Sequence, residues 1–173
     1  MPHLTRSRLL LCVLALLAAS LGVTQQKWDR YSFKAAKISV RLPVPPTQKT
    51  ESISEMGFST NLRGLLAQDG VDVYMAATMR LPFIATKETE KLLFPAMREG
   101  MAKDAGMTLT RFKNARFSGM DGQLCDFAGP GGIGSGRVWF ALRRDRLYML
   151  MQMGMGDGFP DVRKFFNSLR RLR

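Results

Sequence analysis

Polar and apolar positions alternate strictly through Lys37-Ile38-Ser39-Val40-Arg41-Leu42, which buries one face of a strand and wets the other. A shorter strand precedes it at residues 28–33. Pro43, Pro45 and Pro46 end the pair, because proline lacks the donor a sheet ladder needs. Residues 47–54 read as a further strand, with Met56-Gly57 as the turn after it. Residues 58–68 and 71–80 flank Asp69-Gly70, a strong hairpin signal because both residue types tolerate positive φ. Val71, Val73, Met75 and Ala77 share one face of the second arm.

The period then changes from two to 3.6. Residues 86–105 predict a helix with Thr86 as N-cap, Glu88 and Glu90 in its first turns and Gly106 as its stop. Leu92, Leu93, Ala96, Met97 and Met101 form the apolar stripe, and Pro95 predicts a kink or a division. Strands resume at 108–117 and 123–128, joined through Gly119-Met120-Asp121-Gly122, and continue at 137–142 and 146–153 around an Arg143-Arg144-Asp145 turn. Residues 157–170 predict a closing helix that starts near Pro160 and buries Val162, Phe165, Phe166 and Leu169. There are no internal repeats or long linkers. The order of elements predicts an α+β fold: a central, mainly antiparallel sheet with helices packed on it.

The N-terminus follows another logic. Arg6 and Arg8 precede an apolar run at residues 9–19, which is shorter than the ~20 residues a bilayer span needs. Ala18, Ser20 and Gly22 offer small-residue cleavage points after Ser20 or Gly22. Leu9, Leu10 and Leu11 before Cys12 do not make a lipobox. The expectation is a signal peptide at 1–22 and one domain at 23–173, secreted or periplasmic, without a transmembrane span once the signal is cleaved. The alternative is an uncleaved N-terminal anchor in the inner membrane.

Composition narrows the chemistry. The only histidine, His3, and one of the two cysteines, Cys12, fall within the signal, leaving Cys125 alone. A domain without histidine has no Ser-His-Asp or Cys-His mechanism and very few routes to catalytic zinc. Glu51/Glu55, Asp69/Asp72 and Glu88/Glu90 match no carboxylate motif and read as solvated surface. This inventory predicts no enzyme, no catalytic residue and no cofactor; a histidine-free enzyme is the alternative.

Three features invite function. Gly129-Pro130-Gly131-Gly132-Ile133-Gly134 matches G-x-G-x-x-G, but a strand follows it where a phosphate-binding helix is needed, so it reads as a flexible hairpin loop. Met149, Met151, Met153 and Met155 line one face of a strand. They read as core, with Tyr148, Leu150, Gln152 and Gly154 opposite and unable to replace them; the alternative is a Cu(I) carrier, since thioethers suit soft metals. The net charge of +12 falls to +10 when Arg6 and Arg8 leave with the signal. Arg143, Arg144, Arg146, Arg170 and Arg171 gather much of the basic character of the C-terminal third, suited to an anionic surface polymer or lipid. Phe112 and Phe117 among Arg111, Lys113 and Arg116 imitate a nucleic-acid face, but the glycines of an RNA-recognition signature are missing. Phe112 is expected in the core, and no specific nucleic-acid binding is expected.

Phe33 followed by Ile38-Ser39-Val40-Arg41-Leu42-Pro43 resembles the F-x-hydrophobic-x-L-P opening of PsbP-like exported proteins, whose fold is shared with DcrB-like envelope proteins. Gly119-Met120-Asp121-Gly122, Arg146-Leu147-Tyr148-Met149-Leu150 and Phe165-Phe166-Asn167-Ser168-Leu169 extend the likeness. The resemblance implies an α/β/α sandwich and a non-enzymatic binding or assembly role beside an envelope protein. The matched positions are core and turn residues, so no functional residue carries over, and the 129–136 loop departs from the pattern.

Overall fold

A computed structural model describes residues 27–55, 58–155 and 162–172. The expected signal at 1–22, the Met56-Gly57 turn and residues 157–161 of the expected closing helix lie outside these. Two antiparallel strands, β1 (Asp29–Phe33) and β2 (Ile38–Leu42), come first, joined by a short 3-10 turn. Next come β3 (Thr47–Glu55), β4 (Phe58–Asp69) and β5 (Asp72–Arg80), then helix α1 (Lys87–Ala105). After α1 the chain forms β6 (Thr108–Phe117), β7 (Met120–Ala128), β8 (Ser135–Arg143) and β9 (Arg146–Gly154). A five-residue helix, α2 (Val162–Phe166), and a two-residue strand, β10 (Arg170–Arg171), follow.

The strands make two sheets. Seven are ordered β3-β4-β5-β9-β8-β7-β6, and three are ordered β1-β2-β10. In the large sheet, α1 carries the chain from β5 to the far edge at β6, and three hairpins bring it back until β9 pairs with β5. Every pairing is antiparallel.

This arrangement overturns the helix–sheet–helix sandwich. Only one face of the large sheet is covered by a long helix: Phe94 of α1, with Leu93, Met97 and Met101, packs on Cys125, Phe127, Val138, Phe140, Leu142 and Leu147. The other face is covered by the small sheet and α2. Phe33, Ile38, Val40, Leu42, Phe165, Phe166 and Leu169 meet Leu65, Tyr74, Ala76, Leu124, Trp139 and Leu150 there. The physical reason lies in residues 28–42. Their alternation creates one apolar face, and the prolines after Leu42 stop the pair from extending, so it seals the large sheet from above. The closing helix ends at Phe166, earlier than expected, because Arg170 and Arg171 pair with Ser39 and Ile38 of β2 instead of continuing the helix.

Several local expectations shift. Thr86 caps α1 with its side chain, and Gly106 ends it at φ +59°. However, α1 is one continuous helix through Pro95. Its buried stripe runs through Phe94 rather than Leu92, which is 75% exposed, or Ala96. The β6–β7 turn is Ser118-Gly119, at φ +52° and +70°, ending three residues before the expected Gly122, and Met120 is already a buried strand residue. The β4–β5 turn is Gly70-Val71, between the paired Asp69 and Asp72.

Candidate anion-binding surface

The small sheet turns its polar face outward. Residues directly opposite in an antiparallel pair share a face. Arg30 stands opposite Arg41 across β1 and β2, Ser32 opposite Ser39, and Arg170 opposite Ser39 across β2 and β10. Three arginines thus converge from three strands. Arg30 is tied in place: its Nη1 donates to Ser39 Oγ at 3.1 Å and to the Ser168 carbonyl at 2.9 Å. Ser168 is itself fixed, because its hydroxyl donates to Phe165 O at 2.6 Å and accepts from Arg41 N at 2.8 Å. Burial, then the neighbouring charges of Arg170 and Arg41, work against the protonated form of Arg30 and lower its pKa.

Among the described residues, four other arginines have carboxylates. Arg80 pairs with Asp145 at 2.8 Å, Arg111 and Arg137 share Asp126, and Arg116 lies near Asp121. Burial alone would push the Asp126 carboxyl up, but hydrogen bonds from Arg137 and Arg111 hold it below the usual range. Among the described residues, Arg30, Arg41 and Arg170 have no carboxylate within ion-pair distance.

The five arginines expected at an anionic surface fall into two groups. Arg143 and Arg146 flank the Arg144-Asp145 turn, with Arg144 at φ +54° and Arg80 opposite Arg146. The turn is held by Leu81 N to Asp145 O and Ala85 N to Arg144 O, both 2.7 Å. Arg170 and Arg171 form β10. A polar chain joins the groups: Arg146 Nη1 reaches Thr78 Oγ1 at 3.4 Å, Thr78 Oγ1 reaches Ala36 O at 3.2 Å, and neighbouring Lys37 O accepts from Leu172 N at 2.9 Å. Arg30 and Arg41 escaped the sequence reading. The signal was present, since both fall on the polar side of alternating strands, but only the register sets them opposite each other.

The methionine row does not converge. Met149 and Met151 are partly buried under α1, while Met155 is 60% exposed past the end of β9. The opposite face proves to be the deeper core, with Leu150 and Gln152 each 1% exposed, which corrects the expectation that it could not replace the methionines. The cause is topological: β9 lies between β5 and β8 and is covered on both faces. Phe112 is likewise not core. It is 51% exposed, and the Arg98 guanidinium sits 4.0 Å from its ring centre, occupying a face that a base would stack on. The glycine-rich loop holds a three-residue 3-10 turn at Pro130–Gly132, is closed by Gly129 N to Gly134 O at 3.0 Å and leads into β8, so a strand stands where a phosphate-binding α-helix would have to start.

Cys125 is fully buried on the α1 side, and burial pushes its thiol up to about 11. The thiolate is the nucleophile, so the native protein is expected to resist a thiol reagent at pH 8 and to react fully in denaturant. Fast stoichiometric labelling without denaturant contradicts this placement.

Neither a family model nor a curated protein matches the chain. A crystal structure from Bacteroides thetaiotaomicron VPI-5482 is similar at 11% identity and a TM-score of 0.44, over 84% of this chain and 49% of that one. The chain therefore spans about half the length of that protein. Among the described residues, no helix is long and apolar enough to cross a membrane.

Proposed function

We propose that this chain is a non-enzymatic binding module, exported to the envelope or beyond, that docks on an anionic surface through its unpaired arginines. The observation that carries the reading is the set of Arg30, Arg41 and Arg170, side by side on one sheet face without a carboxylate among the described residues. The basic run and short apolar segment at residues 1–22 support export. The Arg143, Arg144 and Arg146 turn adds a second set of charges.

Sedimentation with vesicles tests the reading. The protein is expected to pellet with phosphatidylglycerol/phosphatidylcholine vesicles at low salt and to be released as salt screens the contact. Each arginine near such a surface contributes about 1 kcal/mol, so neutralising one is expected to weaken binding roughly fivefold. Equal association with pure phosphatidylcholine, or none with either vesicle, rejects the reading.

A further inference from the structure

We propose that the outer face of the small sheet, between Arg30, Arg41 and Arg170, seats a single phosphate group. This rests on the anionic-surface reading above and gives it a ligand chemistry. Like charges directly opposite in an antiparallel pair repel, yet Arg30 faces Arg41, and Arg170 projects from the next strand. Arg30 is not free to swing away, because Nη1 is committed to Ser39 Oγ and the Ser168 carbonyl. A guanidinium carries five N–H donors in a rigid fork. Anchoring through Nη1 therefore leaves the rest of the Arg30 fork oriented before any ligand arrives.

Ser32 and Ser39 pair in the row that holds Arg170, beside the Arg30–Arg41 row, so small side chains floor the space; Ser39 is buried beneath the Arg30 fork and Ser32 is exposed. Three guanidinium groups from three strands, around a floor of hydroxyl side chains, match the several acceptor oxygens of a phosphate. That phosphate is either free in solution or the headgroup of an anionic lipid.

The test titrates the full-length protein with inorganic phosphate at low ionic strength, followed by backbone amide shifts. Saturable binding is expected, with the largest shifts in β1, β2 and β10. Arg41→Gln and Arg170→Gln are each expected to weaken it about tenfold or more, the loss of a charged hydrogen bond, while Lys91→Gln, exposed on α1 across the large sheet, changes it less than about twofold. Among the described residues, the side chains of Arg41 and Arg170 make no hydrogen bond or ion pair that anchors the fold. Removing either charge is therefore expected to raise the melting temperature of the unliganded protein by about 1–3 °C. Weaker binding by a more stable protein is an outcome that misfolding does not produce.

A second arm adds phosphatidic acid vesicles. Competition between vesicles and phosphate identifies the lipid headgroup as the source, and saturable phosphate binding that vesicles leave untouched identifies the free ion; either supports the seat. Absence of saturable phosphate binding, or equal losses in Lys91→Gln and Arg41→Gln, overturns it. If vesicles still bind in that case, the broader anionic-surface reading stands without the seat; if they do not, both fall.

Discussion

Trp139→Ala is expected to cost about 3–5 kcal/mol of stability, the range for removing a fully buried large aromatic. Trp139 is 0% exposed in β8, between the two sheets. Its ring meets Phe117 edge-on at 5.4 Å, and its Nε1 donates to Ala115 O at 3.2 Å. The substitution therefore opens a cavity, breaks a ring pair and removes a hydrogen bond together. Urea unfolding measures the loss. Phe112→Ala is the control: half exposed on β6, it is expected to cost less than about 1 kcal/mol. Equal losses for the two variants would mean that the space between the sheets is not the main core.

Gly122→Ala is expected to be nearly as harmful through the opposite fault, too many atoms. A Cβ at Gly122 would stand 2.3 Å from Phe140 O, 2.8 Å from the Ala141 Cβ and 2.8 Å from Trp139 Nε1. The Phe140 oxygen is backbone and the Ala141 Cβ is held rigidly to it, so β7 and β8 must move apart. Overpacking of this kind costs about 1–3 kcal/mol, and the backbone clash places this variant at the upper end. Gly100→Ala makes the comparison. Gly100 lies within α1 with nothing within 4 Å of the added Cβ, and the change is expected to stabilise by about 0.5–1 kcal/mol. Thermal melts of both variants check the opposite signs; a stabilised Gly122→Ala protein refutes the close approach of the strands.

These residues also show where sequence patterning stops. The hairpins around residues 70 and 144, the caps at Thr86 and Gly106 and the burial of Cys125 are local properties, written in turn chemistry and short-range periodicity. Alternation in residues 28–42 shows which side chains are apolar, but not which surface they cover. The same pattern suits a strand inside a large sheet and a small sheet lying on top of it. Leu92 and Phe94 are both plausible members of an apolar stripe, and only the approach of α1 to β7 and β8 chooses between them. The candidate site divides the same way. Arg143, Arg144, Arg146, Arg170 and Arg171 are conspicuous as runs in the chain. Arg30 and Arg41 become partners only through a register, and Arg170 joins them only because the chain returns to β2 as a strand.

That return links binding competence to the order in which the chain folds. The anchors of the arginine cluster, Arg30 to Ser168 O and Arg41 N to Ser168 Oγ, span 138 and 127 residues of sequence. Contacts of such separation close large loops and form slowly compared with hairpins. A folding intermediate holding the complete seven-stranded sheet but lacking β10 would leave Arg30 without one of its two acceptors. Affinity for an anion is therefore expected to emerge in the last kinetic phase of refolding, after most strand signal has returned.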